Sequence, residues 1–505
     1  MLQDTPENGT PPPGSGEHPI FDRPLSNGPD DEMTPDSELE RLVAEHWAAE
    51  KERLQRERHR EQLVAMQLPD EFWNAHPTLS EIRTAARARF LGPDAVLGAL
   101  LARMAGYVNP QAVHVDTGVR NDSTLNLLTA AVGPPGASKS ESCAFSGQLI
   151  PAAHFPYVQL GNVGSGEGIA ETYMGDLETG EVGRNGKPVT ERRQKFYSAF
   201  LEADEGEILS KLGERSGSTL GVTLRTAFTG GALGQKNASR ERSRDVRRYA
   251  LGLYMAFQPE TVRPLLAEKA QGTPQRVLFV SATDPNAPDV PVQAALPGTG
   301  EDAQGARTPS CEELAQRLTA NAQTAACGFR LLTFPAAVVQ EVRAARLAGL
   351  RGDAQTDGHR TYLRLKVAAL LTLLLDGAAD RVPVPYWELA GQMTATSEAV
   401  RAHLEREAAA EVRAAAEAAR QAHADREVYA DHERHYARLH RLAERVRKYA
   451  AQAGPEGVGV AGRGGLRTRV AAKERGLLPE ALEYAQERGW VTVAASGDHV
   501  QIRHP

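Results

Sequence analysis

Four short apolar runs, each closed by polar, Gly or Pro residues, punctuate the middle of the chain: LNLLTAAV (125–132), KFYSAFLEADE (195–205), RRYALGLYMAF (247–257) and QRVLFVSAT (275–283). Runs that stay apolar on successive positions over this length predict strands buried on both faces. The helix-like segments between them predict a largely parallel α/β sheet. Upstream, a helix is expected over about 38–67, with Leu39, Leu42, Val43 and Trp47 on one stripe. Two more follow, one starting at Pro77 with Thr78 and Ser80, the next separated from it by Gly92-Pro93.

Beyond residue 310 the period turns helical again, over 311–325, 335–350, 358–377 and 385 to roughly 450. The run LKVAALLTLLLDG (365–377) is too short to cross a bilayer and reads as a buried helix. Through 405–428 Ala, Glu and Arg dominate, so helix propensity is high but no apolar seam is sustained, as in a solvated connector. The end of the chain reads as two short helices (about 465–474 and 479–488) and then GWVTVAASGDHVQIR, two alternating strands around a Ser-Gly-Asp turn. That order describes a winged helix.

The pattern divides the chain into a Pro/Gly-rich acidic tail (1–37) expected to be disordered, a helical N-terminal region (38–110), an α/β core (111–300), a helical lid-like part (301–400), a connector (401–450) and the winged helix (451–505). Composition changes this picture little. With 505 residues, 41% hydrophobic and 24% charged, the chain is a multi-part globular protein. A formal net charge of −7 excludes coating nucleic acid or anionic membrane with the whole surface, while leaving room for local basic sites. Cys143, Cys311 and Cys327 are widely spaced and form no C-x-x-C pair. With no basic-then-apolar leader at the start, this points to a reducing cytoplasm rather than to a disulfide or zinc framework.

The chemistry concentrates at AAVGPPGASKSESC (130–143). Gly133, Pro134, Pro135, Gly136, Ala137, Ser138, Lys139 and Ser140 have the spacing of the phosphate-cradling pattern G-x-x-x-x-G-K-[ST], except that Ser138 stands at the glycine pivot. An apolar strand precedes the loop and a plausible helix begins at Lys139, so backbone amides and the positive end of a helix dipole would face a triphosphate. Lys139 would reach the β- and γ-phosphates and Ser140 would hold Mg²⁺. A Gly/Pro turn with no ligand is the plain alternative. If the pivot needs a positive φ, Ser138 carries about 1–3 kcal/mol of strain.

Some 65 residues on, FYSAFLEADE closes on Asp204-Glu205. Hydrolysis of ATP needs one carboxylate near the metal and another to orient water, and strand ends beside a phosphate loop place them. Asp204 suits the metal and Glu205 the water, with Glu202 leaving the assignment slightly open; an acidic turn in solvent is the alternative. Gln258, ending the next strand, could sense the γ-phosphate or merely cap the strand. Arg276, just before the last strand, could serve a neighbouring subunit's site or be a surface cation.

For nucleic acid, the run GQKNASRERSRDVRR (234–248) offers Lys236, Arg240 and Arg242, diluted by Glu241 and Asp245. The winged helix offers Arg467, Arg469 and Lys473, although its proposed recognition helix PEALEYAQERG is acidic. The glycine-rich GNVGSGEGIAETY (161–173) lacks a basic residue and reads as a loop near the first site.

Several stretches in this order, FWNAHPTLSEIRTAARARFLGPDAVLGALLAR, LNLLTAAVGPPGASKS, VGSGEGIAETY, GTPQRVLFVSATDPNAPD and HRTYLRLKVAALL…VPYWELAGQMTATSEAVRAHL, resemble the YfjI-like P-loop ATPases of bacterial prophages and integrated elements. The resemblance covers roughly 70–500 and departs at Ser138. It implies a RecA/AAA+-like P-loop core, ATP and Mg²⁺ as ligands, nucleotide roles for Lys139, Ser140, Asp204 and Glu205, and a finger role for Arg276. It also implies a replicative helicase-like ATPase acting on DNA as a homo-oligomer, a hexameric ring being one form. No primase–polymerase module precedes the core here, so a primase or replication initiator encoded elsewhere is the expected partner. The rival expectation is a nucleotide-dependent DNA-binding adaptor that unwinds nothing.

Overall fold

The computed structural model describes residues 35–120, 123–182, 186–203, 219–234, 244–289, 311–352, 358–496 and 499–505. They fall into two compact units, divided after Val64. The first is essentially α1 (Pro35–Ala65). Its Glu and Arg residues pair along the helix, as in Arg56–Glu52 at 2.5 Å, each such pair contributing only a few tenths of a kcal/mol. Leu42, Val43 and Trp47 of its expected stripe are exposed, Trp47 by 67%.

In the second unit, α2 (Asp70–Asn74), α3 (Pro77–Arg87) and α4 (Pro93–Tyr107) lead into β1 (Val113–Asp116), β2 (Leu127–Val132) and α5 (Lys139–Leu149). Next come β3 (Val158–Asn162), α6 (Gly166–Glu171), β4 (Met174–Val182), β5 (Pro188–Gln194), β6 (Ser198–Ala203), α7 (Leu220–Thr229), β7 (Ala250–Phe257), α8 (Arg263–Ala267) and β8 (Val277–Ser281). The helical half holds α9 (Cys311–Ala326), β9 (Arg330–Thr333), α10 (Ala336–Leu350), α11 (Gly358–Leu375) and α12 (Val384–Gln452). The chain closes with β10 (Val458–Gly459), α13 (Leu466–Arg469), α14 (Leu478–Glu487), β11 (Thr492–Ser496) and β12 (His499–Arg503).

The centre is a parallel five-stranded sheet in the order β3-β6-β7-β2-β8. All four runs expected as strands are in it. β2, β7 and β8 are buried along their whole length, which explains why their sequences show no alternation. α4 packs across β2, β6, β7 and β8 and is buried on every side. That approach needs Gly252, where an added Cβ would lie 1.7 Å from the Ala102 carbonyl oxygen. Arg103 on this helix is buried, and its guanidinium is satisfied by Ser146 Oγ at 3.0 Å, Tyr107 Oη at 2.9 Å and the Cys143 carbonyl at 3.3 Å, as a buried charge requires.

α11 is the buried helix expected from its apolar run, with one charge inside it. Lys366 Nζ donates to the carbonyls of Asn126 (2.8 Å) and Phe228 (2.5 Å), fastening α11 to the start of β2 and the end of α7. Burial pushes that amine well below its ordinary value.

The 69-residue α12 begins against β8 and α11, where Ser397 Oγ accepts the Phe279 N–H at 2.8 Å. Residues 411–429 are exposed on all sides, the solvated connector expected from composition. Its last turns supply Leu439, Leu442, Ala443 and Val446 to a separate core with Leu466, Leu478, Ala481, Ala485 and Ile502. A three-stranded antiparallel sheet, β10-β12-β11, closes that core.

The two units divide after Val64, and α4 packs on the sheet. Two expectations are corrected. The segment between β3 and β6 holds an antiparallel hairpin, β4–β5, not helix-like structure alone; its strands are exposed on both faces and so carry no buried alternation. The expected helix at 465–474 is a four-residue helix followed by a 3₁₀ segment, Ala472–Leu477. The tail 1–34 lies outside the described residues. Among those described, no helix is long and apolar enough to cross a membrane.

Candidate functional site

β2 ends at Val132 and α5 begins at Lys139, so residues 133–138 form the turn at the C-terminal edge of the sheet. β2 is followed by a crossing to the far edge at β3, whereas β7 beside it leads across β2 to β8. Adjacent strands whose connections diverge in this way open a crevice at their carboxyl ends, where open α/β sheets bind ligands. The turn is anchored by Gly133 N–H donating to the Phe257 carbonyl at 3.2 Å and Ala282 N–H to the Val132 carbonyl at 2.8 Å. Gly136 has φ 81° with open space where a Cβ would stand. Ser138 has φ 48°, ψ 37°, so the pivot does require the left-handed region, at about 1–2 kcal/mol for a residue with a Cβ. The Lys139 ammonium curls back over the turn and donates to the carbonyls of Gly133 and Pro134, both at 2.8 Å. Tyr254 Oη holds the Lys139 carbonyl at 2.9 Å. A cation is thus held over the turn at the positive end of the α5 dipole.

β6 ends at Ala203 at the same edge, separated from β2 by β7 alone; at ordinary strand spacing that is about 10 Å. Asp204 and Glu205 follow immediately and lie outside the described residues. Glu202, the ambiguous third acid, lies 3.9 Å from Arg103. Gln258 leaves β7 next to the Gly133 anchor and is exposed, its N–H donating to Thr261 Oγ1 at 3.0 Å. Arg276 is elsewhere. It precedes β8, whose first residue Val277 pairs with Leu128 near the start of β2, so it stands at the opposite edge from the turn. Its guanidinium donates to the Gly272 carbonyl at 2.5 Å. Any action of Arg276 on such a turn would be on that of another copy.

A cavity of about 360 Å³ adjoins the turn, within the range of small-molecule sites. Pro134, Pro135, Gly136 and Ala137 form one wall, Arg87, Phe90, Leu91 and Gly92 another, and the segment after β8 (Ala282–Asp284, Ala287, Pro288) a third. The walls are tied together by Arg87 and Asp284 (Nε to Oδ2 2.7 Å, Nη2 to Oδ1 3.3 Å). Behind them Asp94 is fully buried and accepts the Leu68 N–H at 2.9 Å; burial lifts its carboxyl to about 7.

Lys236, Arg240 and Arg242 lie outside the described residues. The described end of that run is engaged: Arg244 pairs with Glu171 at 2.5 Å and Arg247 with Asp245 at 2.8 Å. Arg467 and Arg469 on α13 and Lys473 in the 3₁₀ segment after it are exposed, with the Arg469 guanidinium 5.5 Å from the Tyr449 ring centre. The acidic α14 packs on α12, with Glu480 against His435 (2.9 Å) and Tyr484 against His440 (3.2 Å). The glycine-rich 161–173 segment is a capped start of α6, Ser165 Oγ accepting the Gly168 N–H at 3.0 Å. Among the described residues no three His, Cys, Asp or Glu side chains gather as a metal cage would need.

The sequence reading missed the second wall of the cavity. Arg87 and Phe90 sit 40 to 50 residues upstream of the turn, and no spacing rule links them to it. No protein-family model matches the chain, and no curated protein matches it significantly.

Proposed function

We propose that this chain is a P-loop ATPase that acts on DNA, with helicase or replication-initiation activity for a mobile element as its role. The observation that carries the reading is the turn 133–138: a left-handed pivot between a central parallel strand and a helix, with Lys139 folded over it. The residues fit a magnesium nucleotide. The Lys139 ammonium, already collected by two carbonyls, would exchange them for phosphate oxygens, and the open side of Gly136 admits a ligand against backbone. Ser140 in the first turn of α5 would hold the metal with Asp204, and Glu205 would orient water. Magnesium, when bound, neutralises charge on the β- and γ-phosphates. The five-strand order, with one strand between that of the turn and that of the acids, agrees with a RecA/AAA+-like core. The resemblance to YfjI-like ATPases points the same way.

The terminal unit, with three helices and a three-stranded sheet, fits a winged helix. Arg467, Arg469 and Lys473 are exposed on and just after α13, whereas α14 itself carries Glu480, Glu483 and Glu487, so DNA would meet the three cations rather than α14. Replacing all three with Ala should flatten the slope of log K against log salt by about 2–3 if each touches a phosphate. Strand displacement on a forked DNA separates motor from adaptor. ATP-driven unwinding lost in Lys139→Ala supports the motor, and ATP-gated binding without unwinding supports the adaptor.

A further inference from the structure

The end of α3 has a geometry that asks for glycine and holds phenylalanine. Leu91 N–H donates to the Ala86 carbonyl and Phe90 N–H to the Arg87 carbonyl, both at 3.0 Å. This pair of bonds is the Schellman termination, in which Phe90 takes the left-handed position usually given to Gly. Phe90 has φ 58°, uncommon for a bulky side chain. Leu91 and Ala86, the positions whose apolar contact accompanies the motif, are both buried, so the turn does not need the Phe90 ring. Phe90 is in fact 77% exposed. Backbone strain and an aromatic left in water are two costs that packing does not offset. Strain of this sort at a cavity wall points to function.

The position of the ring says which function. Phe90 lines the same cavity as Pro134–Ala137 of the turn. Its backbone is fixed from behind, because Gly92 lies so close to Ala282 that a Cβ would come within 2.4 Å of the carbonyl oxygen. Arg87, one turn back, is locked onto Asp284. The wall is therefore preset, with a flat apolar face beside a site for a triphosphate.

We propose that Phe90 is the stacking surface for the base of the bound nucleotide, and that this wall makes the site prefer a nucleoside triphosphate, purines above pyrimidines, over a bare polyphosphate. The proposal rests on the phosphate-loop reading. The α3 wall supplies stacking area, which grows with ring size and is tolerant of base identity, while the turn binds the phosphates.

The test titrates Mg·ATP, Mg·CTP and Mg·tripolyphosphate into the full chain, as wild type, Phe90→Gly, Phe90→Trp and Lys139→Ala. Phe90→Gly keeps the left-handed turn, so the fold is not at risk. Expected is a loss of ATP affinity of about tenfold or more in Phe90→Gly, a smaller loss for CTP and none for tripolyphosphate. In Phe90→Trp, emission beyond the wild-type background should be quenched by ATP and not by tripolyphosphate. Equal ATP affinity in wild type and Phe90→Gly overturns the proposal while leaving the phosphate loop standing. So does a parallel loss for ATP and tripolyphosphate. Wild type binding neither probe, or Lys139→Ala binding both as wild type does, overturns the phosphate-loop reading and this proposal with it.

Discussion

Ser138 occupies the pivot with φ 48° and ψ 37°, a conformation glycine enters freely and serine does not. Ser138→Gly should therefore raise stability by up to about 1 kcal/mol, the relief of strain partly offset by the freer unfolded chain. Ser138→Val should lower it, and urea unfolding of the two variants checks both signs. Ser138 marks how far the sequence could be read here. The spacing placed a turn between a strand and a helix, which is what stands at 133–138, and only the pivot's departure from glycine left the backbone in question. Phe90 was illegible for the converse reason: Gly92-Pro93 two residues on supplies the expected stop signal, and nothing marks the residue before Leu91 as left-handed.

Asp94 gives a prediction in pH. Burial is the largest influence on it, and the neighbouring Asp284 adds to the rise, while the Leu68 N–H and Arg87 act against it, leaving a carboxyl at about 7. The folded protein thus keeps a proton that the unfolded chain releases above about pH 4. The stability this group contributes is full below that pH and is lost as pH rises through 7. Asp94→Asn keeps an acceptor for Leu68 and no longer titrates, so the decline of the urea midpoint from pH 5 to 8 should be shallower than in wild type. Equal slopes would remove Asp94 as its source.

At the scale of elements, legibility followed burial. β2, β6, β7 and β8 declared themselves because they are enclosed and nearly all apolar. β3, with only Val158 buried, and the β4–β5 hairpin, exposed on both faces, left no such trace. The helical half was legible nearly to its ends, since α9 to α12 each have a buried stripe or a strong propensity. What α12 joins was legible too: an apolar start and an apolar end around 411–429, where no side chain is buried. A break there should cost the ends little. Ala416→Pro removes a helix bond, locally about 3 kcal/mol, yet the core of Leu442, Val446, Ala481 and Ile502 is self-contained. Hydrogen exchange should show unchanged protection in that core and loss confined to the connector. Loss of protection at Leu442 and Val446 would mean the terminal unit depends on the connector's continuity.

For the whole molecule, the placement of Arg276 at the sheet edge opposite the turn makes assembly a testable consequence. A finger acting between copies predicts that Lys139→Ala and Arg276→Ala are each inactive alone. Mixed in equal amounts, they should regain about a quarter of the interfaces, those pairing an intact loop with an intact arginine. No recovery on mixing, with both variants still oligomeric, would leave Arg276 a loop anchor. The fold places the turn and the ends of β6 and β7 on one edge, and the functional reading depends on that edge binding nucleotide. The most direct measurement is calorimetric titration of Mg·ATP into wild type and Lys139→Ala at matched concentration. Saturable binding of one nucleotide per chain is expected in wild type, weakened by about a hundredfold in the variant with its melting temperature unchanged. Equal binding by the two proteins, or none by the wild type, would contradict the functional reading.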